Sequence, residues 1–177
     1  THQEASYELI EALLESEWPE CRHRALLILI EKYKKAPEEA VQFYLKHLKG
    51  INNWDLVDLS APYILGDYLV KHSDHSVLYT LAQSPVMWEQ RIAVVSTLML
   101  IRNGQFTDTI ALAKLFLGTK HDLMQKAVGW MLREVGKRDK GLLVSFLNTH
   151  KAAMPRTTLR YAIEKFTSEE RKELMQI

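Results

Sequence analysis

Ser84-Pro85-Val86-Met87-Trp88-Glu89-Gln90-Arg91-Ile92-Ala93-Val94-Val95-Ser96-Thr97-Leu98-Met99-Leu100-Ile101-Arg102-Asn103-Gly104 is the stretch on which the fold turns. Trp88, Arg91, Val94, Val95, Leu98 and Ile101 recur at three- and four-residue steps, the period of a single helix face. Elsewhere β-branched residues nowhere alternate with polar ones over a strand's length, and only 7 Gly and 5 Pro interrupt the chain. The pattern predicts an all-α protein. Arg91 is an unusual residue for such a stripe, and it has counterparts: Trp54 lies 37 residues before it and Trp130 39 after it. In stacked helix pairs, steps of that length return the same side of successive units to the same place.

Upstream, Asn52-Asn53-Trp54-Asp55-Leu56-Val57-Asp58 reads as a helix start, with Asn52 or Asn53 capping through its side-chain oxygen. Trp54 and Asp58 are then one turn apart on one face. Pro62 lacks a backbone donor and should bend or break this helix before Val70. Earlier, a first helix to about Ser16 turns Leu9, Ile10, Leu13 and Leu14 inward. Pro19 opens a second helix with a stripe of Ala25, Leu26, Leu29, Ile30 and Tyr33. Pro37 opens a third, stopped near Gly50 by a left-handed cap. A short helix is expected at 76–82. Downstream, helices are expected at 107–117 and 121–137, with Gly129 leaving room for a close backbone neighbour. Two more follow at 140–149 and from Pro155 to Phe166, and Thr167-Ser168-Glu169-Glu170 has capping-box spacing. Helix pairs repeating every 37 to 40 residues predict an α-solenoid of degenerate HEAT-like type, one domain over 1–177, with an N-terminus that lacks an obvious capping repeat.

Composition narrows the classes. Hydrophobic residues make up 47% and charged residues 25% of 177, ordinary for a globular protein, and no apolar run approaches a membrane span. There is no signal-peptide pattern, and a single Cys21 cannot form an internal disulfide, so a buried thiol in a cytoplasmic protein is expected. Net charge is +1, but residues 1–60 carry 7 Lys/Arg against 11 Asp/Glu, and residues 100–165 carry 12 against 5. That asymmetry suits a polyanion docked on one side, or unevenly charged solvated faces.

Asp58 within a helix calls for compensation. It can face solvent, pair with Arg91, or stabilise a developing cation and orient a water. Trp54 and Trp130 share a register with Arg91, whereas Trp88 reads as core. Lys126, Arg133 and Lys137 fall on one stripe suited to a nucleic-acid backbone, and Arg156 with Arg160 makes a second basic patch. His72 and His75 lack a third ligand at metal spacing, so no metal is expected. No phosphate loop, dinucleotide fingerprint or nucleophile elbow occurs.

Asn53-Trp54-Asp55-Leu56-Val57-Asp58, Ile64-Leu65-Gly66-Asp67-Tyr68, Trp88-Glu89-Gln90-Arg91 and Gln125-Lys126-Ala127-Val128-Gly129-Trp130-Met131-Leu132-Arg133-Glu134 together resemble the HEAT-like-repeat DNA alkylation-repair glycosylases, the AlkD family. The similarity runs from about Ala25 to Phe166, four motifs in order. The resemblance implies hydrolysis of the N-glycosidic bond of cationic alkylated purines in duplex DNA, such as N7-methylguanine and N3-methyladenine. It implies a concave basic groove, Asp58 as the catalytic carboxylate, Trp54 and Trp130 against the lesion's deoxyribose, and Arg91 on the backbone. It further implies that the base need not be swung into a pocket. The expected partner is duplex DNA with alkylated bases, without a cofactor or membrane, and the chain is expected to act as a monomer. No lysine stands in the motif as a Schiff-base nucleophile, which predicts a monofunctional enzyme. Family members usually carry further N-terminal helices that grip the DNA, and here these read as missing or truncated. A silent HEAT-like module on damaged or branched DNA, or a protein-interaction scaffold, are the alternatives.

Overall fold

Helix follows helix throughout the computed structural model, which describes residues 5–176. The order is α1 (Tyr7–Leu14), α2 (Pro19–Tyr33), α3 (Pro37–Lys46), α4 (Trp54–Ser60), α5 (Asp67–Val70), α6 (Ser76–Ala82), α7 (Met87–Arg102), α8 (Thr107–Leu115), α9 (Asp122–Gly136), α10 (Lys140–His150), α11 (Arg156–Ala162) and α12 (Ser168–Met175). No strand occurs among the described residues. The protein is an all-α solenoid.

Two rows of helices make it. In one row α2, α4, α7, α9 and α11 each pack on the next. Behind them α1 and α3 lean on α2, α6 on α7, α8 on α7 and α9, and α10 on α9. Each unit thus buries its apolar stripe against its neighbours, as a repeat architecture requires. The long α7 is the axis of the core: Ile92 through Leu98, with Leu100 and Ile101, is continuously buried. Helices that are apolar on every side sit inside.

The bend expected at Pro62 is a wide turn over Pro62–Gly66, in which Gly66 N–H donates to Ala61 O at 2.9 Å, one residue further back than in an α-helix. Prolines at the starts of α2 and α3 take the position where a missing donor costs nothing. The Thr167–Glu170 capping box closes reciprocally at the start of α12.

Three expectations need correction. Gly50 is not a left-handed cap; it ends a 3₁₀ turn, Leu48–Gly50, where a Cβ would stand 2.9 Å from the Leu14 carbonyl oxygen. The left-handed glycine is Gly104, at φ 75°, past the end of α7. Leu9 is 48% exposed rather than turned inward, because α1 packs only on one side. Cys21 is half-buried on α2 rather than a core residue.

Candidate active site

Asn53 Oδ1 accepts the Trp54 N–H at 2.7 Å and starts α4 there. This satisfies one of the donors that every helix start leaves open. It also fixes the register that puts Trp54 and Asp58 on one face. Opposite them, α7 presents Arg91, only 5% exposed despite its charge. Arg91 grips the carboxylate with two parallel hydrogen bonds, Nε to Asp58 Oδ1 at 3.0 Å and Nη2 to Oδ2 at 2.8 Å. This fork geometry is the strong form of a charged pair. Its third nitrogen, Nη1, donates to the Leu123 carbonyl in the first turn of α9. One guanidinium therefore ties α4, α7 and α9 together.

The result is a recess of about 380 Å³ whose walls include Trp54, Asp58, Arg91 and Trp130. The predicted convergence of these four is what the structure brings about. Trp54 is 52% exposed, so its indole is an open wall and not core. Trp130 is half-buried and packs on the core at its base. Burial pushes the Asp58 carboxyl above the ordinary aspartate range, while the hydrogen-bonded Arg91 guanidinium favours the ionised form.

The predicted basic residues divide. Lys126 and Arg133 line the same recess; Lys137, Arg156 and Arg160 do not. Lys126 Nζ pairs with Asp122 at 2.6 Å, an interaction that raises the lysine's pKa. Arg133 pairs with Glu164. Lys137 lies past the end of α9 and pairs with Glu134 at 2.6 Å. Arg156 donates to the Met175 carbonyl at 2.8 Å, and Arg160 opens onto a separate recess on the other flank of α11.

Tyr161 and the Leu123 carbonyl are the site members that sequence reasoning missed. A backbone carbonyl leaves no mark in a sequence. Tyr161 had one indirect signal, the glycine before Trp130. A Cβ on Gly129 would stand 2.5 Å from the Tyr161 Cβ and 2.7 Å from the Thr158 oxygen, so α11 reaches the recess only because residue 129 has no side chain. Of the histidines, His72 bonds the Tyr68 carbonyl, and His75 pairs with Asp108 at 2.7 Å. A larger recess, about 910 Å³, runs along α2 beside Asp55, but Glu20, Glu31 and Asp55 edge it and no indole or buried guanidinium enters it.

The recess is built from α4, α7, α9 and α11, successive helices of one row of the solenoid. The model of the DNA alkylation repair enzyme family matches residues 1–166. The chain belongs to that family, which gives it a role in DNA alkylation repair. No curated protein matches the chain. Among solved structures it is similar to one described as a predicted DNA alkylation repair enzyme from Enterococcus faecalis, at a TM-score of 0.76 and 20% identity. The match covers 94% of this chain and 79% of that one, a likeness that supports the fold alone.

Proposed function

We propose that this chain is a monofunctional DNA glycosylase that hydrolyses the N-glycosidic bond of cationic alkylated purines in duplex DNA, N7-methylguanine and N3-methyladenine among them. The observation that carries this reading is one half-open recess in which two indoles flank a carboxylate fixed by a buried guanidinium. A scaffold has no use for that combination.

The chemistry follows from charge. An alkylated purine carries a positive charge and leaves as a neutral base, so no acid need protonate it. As the bond stretches, positive charge moves to the deoxyribose as an oxocarbenium ion. A carboxylate about 4 Å away at an effective dielectric of roughly 20 is worth about 4 kcal/mol to that ion. That is about three decades in rate. The Arg91 charge behind Asp58 takes back part of this, and in return it holds both oxygens still, so no reorganisation is needed as charge develops. The free lone pairs of Asp58 orient the attacking water and receive its proton. Trp54 and Trp130 present electron-rich faces to a cationic nucleotide, each contact worth about 0.5–2 kcal/mol. With the recess half-open, the lesion is read at the sugar and needs no enclosed base pocket. Lys126 and Arg133 face the backbone of a concave, basic groove.

Among the described residues Lys126 is the only amine on the recess wall, and its pairing with Asp122 favours the protonated form. A protonated amine is no nucleophile, which supports hydrolysis over Schiff-base chemistry. The test is to incubate the chain with methylated duplex and assay both free base and strand integrity. The reading expects free N7-methylguanine from an uncut strand. Cut strands with a borohydride-trapped adduct at Lys126 would replace it with a lyase mechanism. Salt-sensitive duplex binding without any released base would leave a silent DNA-binding module.

A further inference from the structure

Arg160, Arg171 and Lys172 line a recess of about 350 Å³ between α11 and α12, completed by Ile163, Ser168 and Met175. Among the described residues no carboxylate lines it. The pattern is set by helix geometry: Ser168, Arg171, Lys172 and Met175 follow at steps of three, four and seven, one face of α12. Glu169 and Glu173 fall on the other flank, and Glu170 is taken by Lys140 and by the cap. Arg160, Arg171 and Lys172 make no ion pair among the described residues. Lys126, Arg133 and Lys137, in contrast, each have a carboxylate partner. Arg102, Lys114 and Lys120 also lack a carboxylate partner among the described residues, but the recess between α11 and α12 brings three unpaired cations together. Like charges focused in one recess raise the local concentration of an anion.

Placement says which anion. Arg160 and Tyr161 are neighbours on α11, and Tyr161 is a wall of the recess that holds Asp58. The two recesses thus flank a single helix of about 10–12 Å diameter. Phosphates recur about every 3.4 Å along one strand, so a duplex seated at one recess carries several of them within a helix diameter.

We propose that the Arg160–Arg171–Lys172 recess binds backbone phosphates of the duplex beside the lesion, an anchor distinct from the recess that holds Asp58. This rests on the reading of the Asp58 recess as the place where the damaged nucleotide sits. The anchor carries no sequence information; it fixes the register of the protein on the duplex and adds to affinity by displacing counterions.

The test titrates salt against the affinity of the full chain for an undamaged duplex. Each phosphate contact contributes about 0.9 to the slope of log affinity against log salt. Arg171→Gln with Lys172→Gln should lower the slope by about two, whereas the charge-keeping pair Arg171→Lys with Lys172→Arg should leave it as in the parent. Equal slopes for parent and glutamine pair would overturn the proposal, as would tighter binding of a polyglutamate peptide than of duplex at matched salt. A lowered slope in a chain that releases no base would support the anchor while sinking the glycosylase reading, so the two fail separately.

Discussion

Arg91 shows why a residue's role cannot be read from its charge alone. Register brought it to the site in sequence, next to Trp54, Asp58 and Trp130, and the structure puts it there. Pairing with Asp58 was one of the readings that spacing left open; what spacing did not give is the fork, two nitrogens on Asp58 and the third on a backbone carbonyl. Bidentate pairing depends on side-chain rotamers across two helices, which residue spacing does not encode. The pair yields a stability prediction. Replacing Arg91 with Met strands a carboxylate that is 21% exposed, at a cost of about 3 kcal/mol, near the lower end for a broken buried pair. The thermal midpoint should fall by roughly 6–12 °C, and adding Asp58→Asn should return part of it. An unchanged midpoint would mean the pair contributes nothing. The carboxylate also predicts an acid limb. Base release needs the ionised form, and burial raises the pKa, so activity should decline with falling pH above the ordinary aspartate value of about 3.9. A rate constant that stays flat down to pH 4, in a chain still folded by circular dichroism, would contradict that role for Asp58.

Helices were legible where punctuation marks them. Pro19, Pro37, the asparagine before Trp54 and the Thr167–Glu170 box all set boundaries that the structure keeps. Gly50 was misread because a glycine next to a helix end serves either a left-handed turn or a close approach, and only the fold decides between them. Gly129 was legible as a close approach, but its neighbour was not. Gly129→Ala should push α11 away from α9, costing about 1–3 kcal/mol by overpacking and withdrawing Tyr161 from the recess. A variant as stable as the parent would show that the helices separate freely.

A second element-scale prediction concerns the corner where α6 meets α8. His75 Nδ1 bonds Asp108 Oδ2 at 2.7 Å, and the Tyr79 hydroxyl donates to Oδ1 at 2.7 Å. Burial draws the His75 pKa down, but Asp108 and the carbonyls of His72 and Leu69 outweigh it, and the net shift is upward. The folded state then holds this proton more tightly than the unfolded chain. That stabilisation is full below about pH 6.5 and is lost as pH rises through the folded pKa. The midpoint difference between the parent and His75→Asn should shrink from pH 6 to pH 8. A constant difference would remove the histidine's charge from the account.

At the scale of the whole molecule, the period of 37 to 40 residues carried the architecture, because a solenoid repeats its helix pair whatever the sequence identity. It did not show where the charge goes. The excess of basic residues after residue 100 was plain, yet Lys126, Arg133 and Lys137 each found a carboxylate, while Arg160, Arg171 and Lys172 share a recess without one among the described residues. Pairing across helices decides which charges remain available, and that is a property of the folded chain. What α4, α7 and α9 do assemble is one recess holding Trp54, Asp58, Arg91 and Trp130. The most direct test of its purpose is single-turnover release of N7-methylguanine from a methylated duplex by the parent chain and by Asp58→Asn, which keeps the shape and removes the charge. The account predicts release by the parent and a rate about 10²–10³-fold lower in the variant, the cost of removing a preorganised electrostatic group. Equal rates would take Asp58 out of the centre of the mechanism.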